Sequence, residues 1–361
     1  MRKEKVVIAL SGGVDSSVAA LLLKKQGYEL IGVFIKGFSD VKSLRGECAW
    51  KEELRFAKQI AFKLEIPLCV LDFEKEYKKE VVSKMIQYYK RGLTPNPDIL
   101  CNQKIKFPLL WEFAKRIKAD FIATGHYARI KKTNNYFEIL MARDKKKDQS
   151  YFLAGLSSAD LSHILFPIGD LTKEKVRQIA KKNNFPNFNK KSTRGVCFIG
   201  KIQIKKFLEQ KIKNRKGRVV SFNGEVLGEH PGVFYYTIGQ RVRPNIGITI
   251  TKPKGKEQER WYIAKKDVKK NVLTIVPENH FLLRKKEIKL RNLHLINKDE
   301  NPEGKKLFAR IRNLGELHLG ELKKINNRWF FFPKIAIKDV AEGQYIVFYE
   351  KEKVIGCGEI I

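Results

Sequence analysis

The stretch KVVIALSGGVDSSVAALLLKKQG, Lys5 to Gly27, constrains the fold more than any other part of the chain. Val6 to Leu10 is a short apolar run, β-branched at Val6, Val7 and Ile8, and reads as a buried parallel strand. From Ser16 the apolar residues Val18, Ala19, Leu22 and Leu23 recur at helical spacing, and Gly27 is a helix stop. Between them Gly12 and Gly13 let the backbone turn tightly and approach a ligand closely. The free N–H groups of a helix start face an anion, and Ser11, Ser16 and Ser17 add hydroxyl donors. The pattern predicts a phosphate cradle, although an ordinary glycine-containing strand-to-helix turn has the same local appearance. It is not a lysine-bearing P-loop, because no Lys follows the glycines. The nearest match to that pattern, GVCFIGKI at Gly195 to Ile202, has Ile202 where Ser or Thr should hold magnesium.

Strands and helices alternate after this opening. YELIGVFIK follows the first helix, then a helix from about Ala49 to Leu64, PLCVLDF, and a helix from about Lys75 to Tyr89. TPNPDILCNQKIKF, Thr94 to Phe107, reads as a loop because of Pro95 and Pro97. A helix around Phe107 to Ile117 leads to the strand FIATG, and Thr172 caps a helix to Asn183. This order predicts a parallel sheet covered by helices, with ligands at the carboxyl ends of the strands. After about Gly200 the character changes. A basic, partly helical connection runs from Lys201 to Arg218, and short strands then alternate with turn residues to the C-terminus. The expected fold class is therefore α/β plus all-β: a nucleotide-binding domain over 1–200, a basic connection and central β domain over 201–283, and a C-terminal barrel-like β domain over 284–361.

Lys and Arg number 73 against 39 Asp and Glu, a net charge of +34. Such a surplus favours a polyanionic partner, and nucleic acid over a membrane surface, since no basic amphipathic anchor or lipidation motif appears. No run of 18 apolar residues is present, and the chain enters its first strand too early for a signal peptide, so a cytoplasmic, membrane-free protein is expected. The five cysteines, Cys48, Cys69, Cys101, Cys197 and Cys357, form no CxxC pair, which argues against a zinc ribbon. Cys69 and Cys357 lie in strand-like runs and read as packing residues. Cys101 sits among prolines and polar residues, where core burial is less natural. Cys48 stays undecided.

SGGVDSS after a strand resembles the loop of the PP-loop ATP pyrophosphatase superfamily. Four later motifs, TPNPDILCNQKIKF, ATGHYAR (Ala123 to Arg129), KDQSYFL (Lys147 to Leu153) and STRGVCFIG (Ser192 to Gly200), closely resemble the tRNA-specific 2-thiouridylases, as do YTIGQR and EGQYIVFY nearer the C-terminus. The resemblance covers essentially the whole chain. It implies an enzyme that replaces the 2-oxo oxygen of the tRNA wobble uridine with sulfur, using ATP and releasing AMP and pyrophosphate. Uracil's carbonyl is a poor electrophile, and adenylation turns its oxygen into a leaving group. A cysteine persulfide then brings sulfur, and a second thiol takes over the remaining sulfur bond.

By this resemblance Cys197 carries the persulfide, Cys101 is the partner nucleophile, and Asp98 acts as acid or base on the target base. ATP is bound by Ala9, Leu10, Ser11, Gly12, Gly13, Val14, Asp15 and Ser16, with Ile35 covering adenine in place of the family's Met and Gly125 approaching adenosine. Asp15 is placed to hold magnesium on the phosphates. tRNA is contacted by Asn96, Pro97, Asp98, His126, Lys147, Asp148, Gln149, Arg312, Asn313 and Gln344. Asn313 stands where the family carries Tyr, removing a stacking contact. A persulfide donor protein, a cysteine desulfurase or sulfur relay protein, is the second implied partner. Two other readings stay open at this point: a different PP-loop enzyme, which needs no cysteine pair, and a non-catalytic RNA-binding protein.

Overall fold

The computed structural model describes residues 2–36, 49–190, 204–243, 246–250 and 260–361. A five-stranded parallel sheet runs in the order Leu68–Asp72, Glu29–Lys36, Lys5–Ala9, Phe121–Ala123, Ile164–Leu165. Val7, Val33, Ile35 and Ile122 enter the core on one face, and Val6, Ile8, Leu30, Phe34 and Ala123 the core on the other. Both faces are covered, so the strand sequences are continuous apolar runs rather than alternating ones. The chain lays two strands, Glu29–Lys36 and Leu68–Asp72, to one side of Lys5–Ala9 and then reverses to Phe121–Ala123. That reversal opens a crevice at the carboxyl ends of these two central strands, where open α/β sheets bind ligands.

The proline-containing stretch from Thr94 is not the loop expected. Only its first residues are irregular. Asn96 caps a helix over Pro97–Cys101, its side-chain oxygen accepting from Ile99 N at 3.3 Å. A wide turn, Asn102–Lys106, passes directly into the helix Phe107–Arg116. Pro97 is tolerated because the first helical residue needs no N–H partner, and its fixed φ suits a helix start.

The central β unit is a five-stranded sheet in the order Thr249–Ile250, Val226–His230, Gly217–Val220, Val272–Pro277, Trp261–Asp267, preceded by the short helix Ile204–Glu209. The C-terminal unit is a closed six-stranded antiparallel barrel. Its strands follow the order Ile288–Leu295, Arg328–Pro333, His318–Ile325, Lys306–Arg310, Tyr345–Glu350, Lys353–Ile360, and the last pairs back to the first through Leu290 with Ile360 and His294 with Cys357. Closure leaves no sheet edge within this barrel.

The three segments do not keep separate cores. Tyr151 and Ile139 of the first share one apolar cluster with Ile296, Val347, Tyr349 and Val354 of the barrel. Tyr77, Val81 and Met85 share another with Phe207, Val219 and Ile263 of the central sheet. The hairpin Ala128–Lys132 and Phe137–Met141 extends from the first segment to pair, at Leu140, with Lys353 of the barrel. No helix among the described residues is long and apolar enough to cross a membrane.

Candidate active site

The glycine loop sits at the sheet's reversal point. Gly12 has φ 72°, in the left-handed region, and a Cβ there would collide with the Glu53 carbonyl. Only glycine fits such a position without strain. Gly13 precedes the helix Val14–Lys25, whose first turn carries Asp15. The three serines divide the work. Ser16 and Ser17 are buried, and both hydroxyls donate to the Gly13 carbonyl, at 3.1 and 2.9 Å, while Ser16 Oγ accepts from Ser11 N at 3.2 Å. They hold the loop's shape. Ser11 is the exposed hydroxyl. Leu10, Val14 and Ile35 are buried with their side chains in the core, so Leu10 and Val14 offer a ligand only backbone.

Across the crevice, Gly125 follows the strand Phe121–Ala123. A Cβ at Gly125 would lie 2.6 Å from Ser16 N and 2.8 Å from the Asp15 carbonyl carbon. The two expected halves of the nucleotide site therefore meet backbone to backbone.

Three residues that sequence reasoning did not single out complete this region. Lys173 Nζ donates to Asp15 Oδ1 and Oδ2 at 2.6 and 2.7 Å, and Tyr127 OH donates to Asp15 Oδ1 at 2.8 Å. Burial beside the Asp15 carboxylate pushes the Tyr127 hydroxyl far above its ordinary range, so it stays a proton donor. Asn187, fully buried, donates to the Gly12 carbonyl at 3.0 Å and to Ser17 Oγ at 2.9 Å. A sequence signal existed for Lys173. It stands in the first turn of a capped helix, where a positive charge is disfavoured by the helix dipole and so suggests another use.

Among the expected base-handling residues, two are more deeply buried than expected. Asn96, Pro97 and Asp98 are half-buried at the start of the short helix. Cys101, at its end, is fully buried in the cluster shared with the central sheet, contrary to the expectation that it lies clear of a core. The stretch forms a helix instead of a loop, and its last residue turns inward. The second is Asp148. It is also fully buried, accepting from Ala142 N at 3.0 Å, Ser150 N at 3.2 Å, Ser150 Oγ at 3.0 Å and Arg310 Nη1 at 2.8 Å. A carboxylate so enclosed braces the barrel against the first segment.

Its chain neighbours are less enclosed. Gln149 exchanges two hydrogen bonds with the Tyr127 backbone, one from each amide, at 2.8 and 2.9 Å. Lys147 is half-buried. His126 Nδ1 lies 2.7 Å from Thr124 Oγ1, between the rings of Phe107 and Phe166. Burial, aided by nearby Lys106, holds its pKa well below the ordinary histidine value, so the ring is neutral. Arg312 is exposed and donates to the Asp339 carbonyl at 3.2 Å, next to half-buried Asn313. Gln344 donates to the carbonyls of Thr94 and Pro95, both at 3.1 Å. Cys357 is buried, its thiol pushed up to about 12 by burial and donating to the Ala154 carbonyl at 3.4 Å. That is a packing residue, as expected. Cys48 and Cys197 lie outside the described residues.

Residues 4–201 match the family model described as a tRNA methyl transferase HUP domain, residues 205–277 a tRNA methyl transferase PRC-barrel domain, and residues 285–360 an aminomethyltransferase beta-barrel domain. A tRNA-specific 2-thiouridylase of Geobacillus kaustophilus is 42% identical over 366 residues, covering 100% of this chain and 96% of that protein. One from Nitrosomonas europaea is also 42% identical, with 100% and 99% covered. The chain belongs to the tRNA-specific 2-thiouridylases. This family of tRNA sulfurtransferases thus accounts for all three segments, β units included. A 4-thiouridine synthetase–RNA complex with bound ATP aligns at a TM-score of 0.35 and 18% identity, over 58% of this chain and 50% of that one, a likeness too slight to bear on the site.

Proposed function

We propose that this chain catalyses ATP-dependent 2-thiolation of the wobble uridine in tRNA. The observation that carries the reading is the end-to-end match, at 42% identity, to curated 2-thiouridylases. The close approach of Gly125 to the glycine loop, at a sheet reversal, supports nucleotide binding there.

In this reading ATP lies in the crevice with its phosphates at Ser11, Gly12, Gly13 and the start of the helix Val14–Lys25. The uridine O2 attacks the α-phosphorus and pyrophosphate leaves. The terminal sulfur of a Cys197 persulfide attacks C2 and AMP leaves. The Cys101 thiolate then attacks the Cys197 sulfur, releasing 2-thiouridine and forming a Cys101–Cys197 disulfide that an external thiol must reduce. Because Cys101 is enclosed, this step requires the helix Pro97–Cys101 to shift when tRNA binds. Asp98, half-buried in the first turn of that helix, serves as acid or base on the base ring. Lys173 faces the phosphates through Asp15. Both Asp15 oxygens are engaged by Lys173, so Asp15 as placed does not fit a magnesium ligand, and no step is assigned to a metal. The persulfide arrives from a donor protein.

The test is a turnover assay with unmodified tRNA, ATP and a persulfide source, read by nucleoside mass spectrometry and nucleotide analysis. 2-Thiouridine with AMP and pyrophosphate is expected. ADP and phosphate as the RNA-dependent products refute the ATP chemistry. Cys197→Ser should abolish thiolation while leaving adenylation, and Cys101→Ser should stop sulfur release. Wild-type thiolation in either variant would refute that cysteine's role. Retained RNA-dependent pyrophosphate release in both without any 2-thiouridine, in wild type as well, would favour a different PP-loop chemistry.

A further inference from the structure

We propose that Gln344 is a positioning residue for the loop at Thr94 to Asp98, holding from the C-terminal barrel the segment that receives the target base. A primary amide has two N–H donors. Both of Gln344's go to protein carbonyls, Thr94 O and Pro95 O, at 3.1 Å each. These carbonyls depend on donors from elsewhere, because Pro95 and Pro97 supply no backbone N–H to the loop itself. The same barrel turn accepts from Thr94 N through the Glu342 carbonyl at 2.8 Å. Gly343, at φ 87°, brings that turn close: a Cβ there would stand 3.0 Å from Leu93 Cβ and 3.1 Å from Thr94 N.

Tyr151 holds the loop from the other side. Its ring is fully buried, and its hydroxyl lies 3.5 Å from Asn96 Nδ2 while donating to the Tyr345 carbonyl at 2.8 Å. The Ile311 carbonyl, beside Arg312 and Asn313, is 3.3 Å from the same hydroxyl. Gln344 and Tyr151 therefore clamp three successive residues, Thr94, Pro95 and Asn96, onto one end of the barrel. Gln344 acts on the reaction through this loop, and its N–H groups are spent before any RNA arrives. The catalytic consequence rests on the thiolation reading, while the structural one does not.

Hydrogen exchange on the full chain, without RNA or ATP, tests the clamp directly. Gln344→Met keeps the side chain's length and removes both donors, and Tyr151→Phe removes one hydroxyl and keeps the fold safe should the first variant misfold. Losing these bonds predicts roughly ten-fold faster exchange at the amides of residues 98–102, with the barrel strands unchanged. Single-turnover thiolation should slow by a similar factor while the Kd for tRNA stays within about two-fold. Unchanged exchange in this segment, or loosening spread over the whole barrel, overturns the proposal whatever the activity does. A rise in tRNA Kd with exchange and single-turnover rate unaltered would make Gln344 an RNA contact instead. Because the exchange arm needs no thiolation, failure of the reaction assignment would leave it readable.

Discussion

Lys173 donates to both carboxylate oxygens of Asp15, at 2.6 and 2.7 Å, across a sequence separation of 158 residues. The pair joins the helix Lys173–Lys182 to the glycine loop, with Lys173 only 13% exposed. In the proposed site Lys173 is a strong cation held at the glycine loop by Asp15. Lys173→Met should raise KM for ATP roughly ten- to hundred-fold, the size expected for losing one charge-assisted hydrogen bond. Affinity for tRNA should not change. Initial rates over an ATP series, with tRNA binding by filter retention, check both.

Gly125 offers a steric test of the crevice. Its Cβ would meet backbone atoms of Asp15 and Ser16, which cannot move aside as a flexible side chain can. Gly125→Ala should push the glycine loop from the strand and abolish nucleotide binding, with melting temperature lowered as well. Equilibrium dialysis with labelled ATP reads the first effect and calorimetry the second. Wild-type ATP affinity in this variant would move the nucleotide elsewhere.

Asp148 and Lys147 are neighbours with opposite expected effects. Breaking a buried ion pair by removing one partner costs about 3–5 kcal/mol, because the other charge is left buried and unpaired. Asp148→Ala should destabilise the chain by about that amount in urea melts without RNA, since Arg310 is enclosed with it. Lys147→Ala should leave urea stability near wild type and weaken tRNA binding, more visibly at low salt. Equal stability of the two variants would place Asp148 outside the core.

Several histidines predict a pH dependence of known sign. His126, His163 and His230 are each held below the ordinary value of 6.5, chiefly by burial. The folded rings stay neutral where the unfolded chain already takes up protons. Stability from these groups is whole above about pH 6.5 and is lost as pH falls below it, because the unfolded state then binds more protons. Urea midpoints should decline from pH 7.5 to pH 5.5, and less steeply in His126→Asn. A rise toward acid would contradict buried neutral rings.

A good part of this molecule was legible in the chain. The run Val6 to Leu10, the glycine pair and the helical spacing after Ser16 describe one contiguous piece of backbone, and local sterics decide its form. The helices near Ala49, Phe107 and Thr172 follow equally from periodicity and caps. Pro97 was misread because proline was weighed as a breaker, whereas at a first helical position it starts a helix. Other features had no local signal to misread. That Asp15 meets Lys173, Asp148 meets Arg310 and Gln344 meets Thr94 depends on how a sheet, a hairpin and a closed barrel pack together. Cys101 looked polar in sequence because its neighbours along the chain are polar, yet it is buried in one apolar cluster with Tyr77, Val81 and Phe207. Local sequence determines which backbone conformations a segment prefers. Burial and pairing between segments are set by non-local packing, and one sequence carries no direct record of which distant residues share a core.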